Sequence, residues 1–157
     1  MNLQAILVAT DFSECAGAAF RMAKKLGERF EAKLVLLHVI DQRLVLRLAE
    51  YLKVNPDNLV QDLRERAQQQ LGEFLKHWQT DGLEVESMVA VGSPFQEIAV
   101  IARELEVDLV ALGGYGRGGR GRLEELFFGS TAEKVVRLLP CPVLCVPLAG
   151  KEDRNEG

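Results

Sequence analysis

The chain has 157 residues, 48 % of them apolar and 27 % charged, enough to bury a single core in one soluble, globular domain. A formal net charge of −4 argues against a general nucleic-acid binder, because no basic excess draws in a polyanion; any anion site must be local. No apolar run approaches a bilayer span, no basic n-region or small-residue cleavage site marks a secretory signal, and three cysteines lack framework spacing. A cytoplasmic protein is expected, with neither membrane nor nucleic acid as partner.

In chain order, Ala5 to Ala9 (AILVA) reads as a strand buried on both faces. Ser13 stands where a helix cap belongs, and Ala18, Ala19, Met22, Ala23 and Leu26 keep the 3.6-residue period behind it. Lys33 to Val39 (KLVLLHV) is a second buried strand. Leu44 to Leu52 reads as helical and Asn55-Pro56-Asp57-Asn58 as a turn. A long amphipathic helix follows, carrying Leu59, Leu63, Ala67, Leu71, Leu75 and Trp78. Val85 to Val91 alternates as an edge strand does, and Pro94 suits the first turn of a helix with Phe95, Ile98, Ala99 and Ala102 on its apolar stripe. Leu109 to Leu112 and Val143 to Val146 are the fourth and fifth strands. Strands alternating with helices imply parallel βαβ units: an α/β fold, an open, doubly wound five-stranded sheet with helices on both faces. Residues 1–148 form one domain, and 149–157 a polar tail.

The chemistry concentrates after the fourth strand. Six glycines fall within nine residues from Gly113 to Gly121, interleaved with Arg117 and Arg120; Arg122 follows, and Gly129-Ser130-Thr131 opens a helix. Glycine lets a backbone approach a ligand closely, and a helix N-terminus offers free N–H groups and partial positive charge. Together they make an anion site, best suited to phosphate. Gly114-x-Gly116-x-x-Gly119 matches a dinucleotide fingerprint but follows the wrong strand, and no P-loop lysine is present. In a doubly wound sheet, ligands sit beyond the strands' carboxyl ends where strand order reverses. Thr10-Asp11 and Gly113 end two strands, so Asp11 is placed to accept from a ribose; it also competes with Ser13 to cap the first helix.

His38 and His77 lack metal-ligand spacing and Trp78 lies on an apolar stripe, so these read as structural. Ser130 lacks a nucleophile elbow, and its hydroxyl suits phosphate contact instead. Cys141 and Cys145, four apart in the expected last strand, sit about 13 Å apart at strand rise and read as core thiols. With no positioned general base, fast hydrolysis of a bound phosphate compound is not expected, and no catalytic or metal-ligating residue is assigned.

ILVATDFSE from Ile6, VGSPFQEI from Val91, and DLVALG…GSTAEKVVRLLPCPVLCV from Asp108 resemble the universal stress protein family over almost the whole chain. Nucleotide-binding members carry glycine, two residues, glycine, nine residues, then glycine and serine or threonine. Gly116, Gly119, Gly129 and Ser130 meet that spacing. The alternative register starts at Gly113, directly after the strand, with Gly116 second; it makes the loop three residues longer and is preferred because the strand fixes its start. The resemblance implies that Asp11 and the Val39 backbone hold ribose and adenine, with Ala9 and Thr10 lining the same wall. Gly113, Gly116, Gly129, Ser130 and Thr131 would hold phosphates. It also implies a stress-responsive regulator binding ATP (or ADP or AMP), with Mg²⁺ and slow or no hydrolysis, and a homodimer joined through PVLCVPL. Two alternatives stand beside it: a dimeric interaction protein whose 113–128 loop docks a protein partner, and a slow ATPase or nucleotidyl transferase.

Overall fold

A computed structural model describes residues 2–114, 130–138 and 141–148. Within them the chain runs β1 (Ala5–Ala9), α1 (Glu14–Phe30), β2 (Lys33–Asp41), α2 (Gln42–Leu52), α3 (Pro56–Trp78), β3 (Val85–Gly92), α4 (Pro94–Glu104), β4 (Leu109–Gly113), α5 (Ser130–Leu138) and β5 (Val143–Val146). The strands form one parallel sheet in the order β3-β2-β1-β4-β5. The doubly wound sheet expected from the alternation is the one observed.

Period-two geometry sends alternate side chains to opposite faces, and each face meets its own helices. Ile6, Val8, Leu34, Leu36 and Ala111 pack with Phe20 and Ala23 of α1 and Leu71 of α3. Leu7, Val35, Leu37, Val110 and Leu112 pack with Ile98, Ile101 and Ala102 of α4 and Val135 of α5. Strands buried on both faces need apolar residues at every position, which is why β1, β2 and β4 read as continuous apolar runs.

The end of β2 and the 55–58 segment differ from expectation, and β3 and β4 each run one residue further than expected. β2 continues past Val39 to Asp41, because β3 pairs with it as far as Asp41↔Gly92, and Asp41 then caps α2 by accepting from the Arg43 N–H at 3.0 Å. The expected turn at 55–58 is a helix start: Asn55 accepts from the Asp57 N–H at 2.8 Å and Pro56 occupies the first turn of α3. A proline at that position sacrifices no helical hydrogen bond. Cys141 precedes β5 instead of lying in it, and none of Cys15, Cys141 and Cys145 is in a disulfide. Burial pushes the Cys141 and Cys145 thiols up, so both stay protonated and weakly reactive at neutral pH.

The amino ends of β1 and β4 are tied by one carboxylate. Asp108 Oδ2 accepts from the Gln4 N–H at 2.8 Å and the Ala5 N–H at 3.0 Å, and the Asp108 N–H donates to the Ala5 carbonyl at 2.9 Å. Asp108→Ala strands two main-chain donors and should cost about 1–3 kcal/mol in denaturant unfolding. Asp108→Asn keeps an acceptor and should lose less; equal losses would show that the side chain does not hold this junction.

Candidate functional site

Strand order places the reversal between β1 and β4: from β1 the chain winds outward through β2 and β3, then returns to lay β4 and β5 on the other side. The carboxyl ends of β1 and β4 therefore frame the crevice where such sheets receive ligands. Asp11 follows one strand end, and Gly113 is the other.

The β1–α1 turn is braced throughout. Thr10, buried at 5 % exposure, donates its N–H to Leu37 at 2.8 Å, while its Oγ1 accepts from the Phe12 N–H at 3.0 Å. Its carbonyl lies 2.8 Å from His38 Nδ1; a carbonyl can only accept, so that ring nitrogen carries the proton. Asp11 Oδ1 accepts from the Ser13 N–H at 3.0 Å, and Ser13 Oγ accepts from the Ala16 N–H at 3.2 Å. The competition for the cap is thereby decided: Ser13 caps α1, and Asp11 fixes the turn that presents it. Between them Phe12 adopts φ 65°, a left-handed conformation that a bulky side chain rarely takes. Its ring lies 4.7 Å from that of His38 and 6.4 Å from that of Phe74, and this packing holds the strained backbone in place.

Gly113 is a close-approach glycine. A Cβ there would lie 2.7 Å from the carbonyl carbon of Cys15 and 2.8 Å from its Cβ, so the first turn of α1 rests directly on the end of β4. The next residue, Gly114, continues the ladder by donating to the Val146 carbonyl at 2.9 Å.

Val39 enters the site through its backbone. Lys33 donates to Gln4 and Leu37 accepts from Thr10, so the odd-numbered residues of β2 turn their main-chain groups toward β1. β1 ends at Ala9, paired with Leu37, and the Val39 N–H and carbonyl consequently face the side where β1 has stopped. The structure thus gathers Ala9, Thr10, Asp11, Val39 and Gly113 around one strand-end region. Ser130 opens α5, whose course from the carboxyl end of β4 to the start of β5 puts its N-terminus on the same side; Thr131 follows, half-buried. Gly116, Gly129 and the arginines 117, 120 and 122 lie outside the described residues, as does most of the 113–128 loop. Sequence reasoning missed Phe12; a large aromatic between Asp11 and Ser13 was the available signal.

A separate cleft of about 600 Å³ opens between α1 and α3, lined by Phe12, Gly17, Arg21, Glu73, Phe74 and Trp78, with others. Among the described residues, none of the expected site residues lines it. Its glutamates also suit a phosphate poorly.

Two substitutions separate packing from ligand chemistry, both read by denaturant unfolding without nucleotide. Gly113→Ala should cost about 1–3 kcal/mol, because the atoms it meets include helix backbone; an unchanged midpoint would show that the helix gives way freely. Phe12→Ala and Phe12→Gly both forfeit the ring, but alanine retains the left-handed strain. The glycine variant should therefore be the more stable of the two by about 1 kcal/mol. The reverse order would mean that the turn abandons this conformation.

Comparison with known proteins adds the remaining evidence. The sequence profile of the universal stress protein family matches residues 2–147. Universal stress protein MJ0577 of Methanocaldococcus jannaschii is 30 % identical over 153 residues, covering 90 % of this chain and 93 % of the relative. YxiE of Bacillus subtilis is 31 % identical over 147 residues, covering 90 % and 97 %. The solved structure of MJ0577 superimposes with a TM-score of 0.81, covering 96 % of this chain and 100 % of that one. More distant structures share the fold alone. One is an Archaeoglobus fulgidus universal stress protein in complex with dAMP, at 19 % identity and TM-score 0.63, covering 93 % and 99 %; another is in complex with cAMP, at 21 % and 0.58, covering 95 % and 100 %. With a family match spanning nearly its whole length and a sheet of the same kind, this chain belongs to the universal stress protein family.

Proposed function

We propose that this chain is a cytoplasmic, stress-responsive regulator that binds ATP or a related adenine nucleotide beyond the carboxyl ends of β1 and β4 and hydrolyses it slowly or not at all. The observation that carries the reading is the pre-set β1–α1 turn at the point of strand reversal. Asp11 is held there by its bond to Ser13, beside the close contact of Gly113 with α1. The Asp11 carboxylate is an acceptor suited to ribose hydroxyls, and the Val39 main chain offers one donor and one acceptor to an adenine edge. Ala9 and Thr10 form the wall between them. Gly113, Gly116, Gly129, Ser130 and Thr131 take the phosphates, with the N-terminus of α5 adding partial positive charge. The dAMP and cAMP held by distant proteins of this fold support an adenine ligand. Among the described residues no three metal-ligating side chains cluster, so a Mg²⁺ would arrive on the nucleotide's phosphates. The chain acts as a homodimer joined through β5.

The test is denaturation of protein purified without added nucleotide, with mass spectrometry of whatever is released, followed by calorimetry with Mg²⁺-ATP. Asp11→Asn keeps an oxygen for the Ser13 N–H but removes the charge. Losing a hydrogen bond to a charged acceptor should weaken nucleotide binding about ten- to a hundredfold at unchanged thermal stability of the empty protein. An empty protein that calorimetry shows to ignore ATP, ADP and AMP would instead make it an interaction protein. Product appearing faster than in the Asp11→Asn protein would make it an enzyme.

A further inference from the structure

The cleft between α1 and α3 lies apart from the strand-end crevice, and its two walls are built from unlike residues. α1 presents the small residues Ser13, Gly17 and Ala18. A Cβ at Gly17 would meet Trp78 Cζ2 at 3.4 Å, so the indole lies against bare helix backbone. α3 presents Phe74 and Trp78, whose ring centroids are 6.2 Å apart. Phe12 extends this aromatic wall at 6.4 Å from Phe74. Phe20, fully buried, braces it from the core side, 5.1 Å from Phe74 and 6.2 Å from Trp78. The three lining rings are only half-buried, and they border a space of about 600 Å³. That volume falls within the range of small-molecule sites. The left-handed turn at Phe12 puts its ring on this wall, and such strained residues cluster at functional sites.

Charge decides what such a cleft accepts. Arg21 lies on α1 one turn beyond Gly17, half-buried, and Glu73 lies on α3 beside Phe74. Both line the cleft, yet no ion pair joins them among the described residues; Glu73 Oε1 accepts from Gln69 Nε2 at 3.5 Å. Glu14 also lines the cleft, but it sits in the first turn of α1, where it answers the partial positive charge of the helix N-terminus. An anion would meet Glu73, and a cation would meet Arg21. A neutral apolar ligand would cover both charges and pair neither, which costs free energy. A ligand with both signs on an apolar body satisfies both.

We propose that this cleft binds a zwitterion of the aromatic amino-acid class, with its carboxylate on Arg21, its ammonium on Glu73 and its ring against Phe12, Phe74 and Trp78. A guanidinium offers a fork of donors to a carboxylate, and a carboxylate accepts more than one bond, so Glu73 serves an ammonium beside Gln69. The aromatic wall takes a ring in offset or edge contact. The proposal goes beyond the nucleotide reading and does not depend on it, since Asp11 and Gly113 do not line the cleft. Phe12 follows Asp11 directly, so one braced turn supplies a residue to each site.

Trp78 is the one tryptophan of the chain, so its fluorescence reports on the cleft directly. Three probes share a phenyl ring and differ in charge at neutral pH: phenylalanine, phenylpropionate and phenethylamine. Phenylalanine should change Trp78 emission and bind at least about tenfold tighter than either singly charged probe. Arg21→Gln should remove its advantage over phenethylamine, and Glu73→Gln its advantage over phenylpropionate. Ala18→Leu fills the cleft and should abolish binding of all three, with circular dichroism confirming that each variant folds. A singly charged probe that binds the unaltered chain as tightly as phenylalanine overturns the zwitterion assignment. An order of preference unchanged in both charge variants, or binding that survives Ala18→Leu, overturns the cleft as its place. Trp78 emission that ignores all three probes at millimolar concentration overturns the site altogether.

Discussion

The contact between the first turn of α1 and the end of β4 is the constraint on which the rest of the site depends. Where another side chain would begin, Gly113 presents bare backbone to Cys15. This lets α1 start directly above the point where strand order reverses. Helix starts bring unpaired N–H groups and a partial positive charge; strand ends bring exposed main chain. Bringing the two into contact concentrates polar backbone in a crevice whose floor is otherwise apolar. The glycine is thus needed before any ligand is considered, and its presence is evidence about packing first and chemistry second.

The β1–α1 turn shows how that polarity is kept in place. Thr10, Asp11 and Ser13 each supply a side-chain oxygen to a main-chain N–H a short distance along the chain. Three local bonds in succession leave the backbone little freedom, and Phe12 is carried through a conformation it would not adopt alone. His38 closes the arrangement from β2 by donating to the Thr10 carbonyl and packing at a tilt against the Phe12 ring. A turn fixed in this way loses little entropy when a ligand arrives, which is the general advantage of a preorganised site.

How much of this was legible in the sequence follows from the range of each interaction. Continuous apolar runs in β1, β2 and β4 announced strands buried on both faces, and the alternation in β3 announced an edge, because both patterns come from local periodicity. The Pro94 helix start was legible for the same reason, whereas the cap of α1 was narrowed only to Asp11 or Ser13 until the structure gave it to Ser13. The end of β2 was not: Val39 looked terminal, but pairing with β3 carries the strand on to Asp41, and pairing is set by a segment far away in sequence. The 55–58 segment was misread because Asn-Pro suits a turn and a helix start equally well. The candidate site divides along the same line. Residue types in the right order marked Thr10, Asp11 and Gly113, whereas the strain at Phe12 and the packing duty of Gly113 appear only once α1, α3 and β4 come together.

The asymmetry of the sheet edges connects the fold to its surroundings. A doubly wound sheet of this order always leaves two edges, and each must be blunted or used. Here α3 spends Arg64 on the β3 edge, where the chain also places glutamates and a lysine. β5 is short and apolar, with a proline on either side and its outward N–H groups at Val143 and Cys145. Prolines limit how far a partner strand can extend and so favour a partner as short as β5 itself. A strand that blocks long partners while leaving its own middle open is selective in what it accepts.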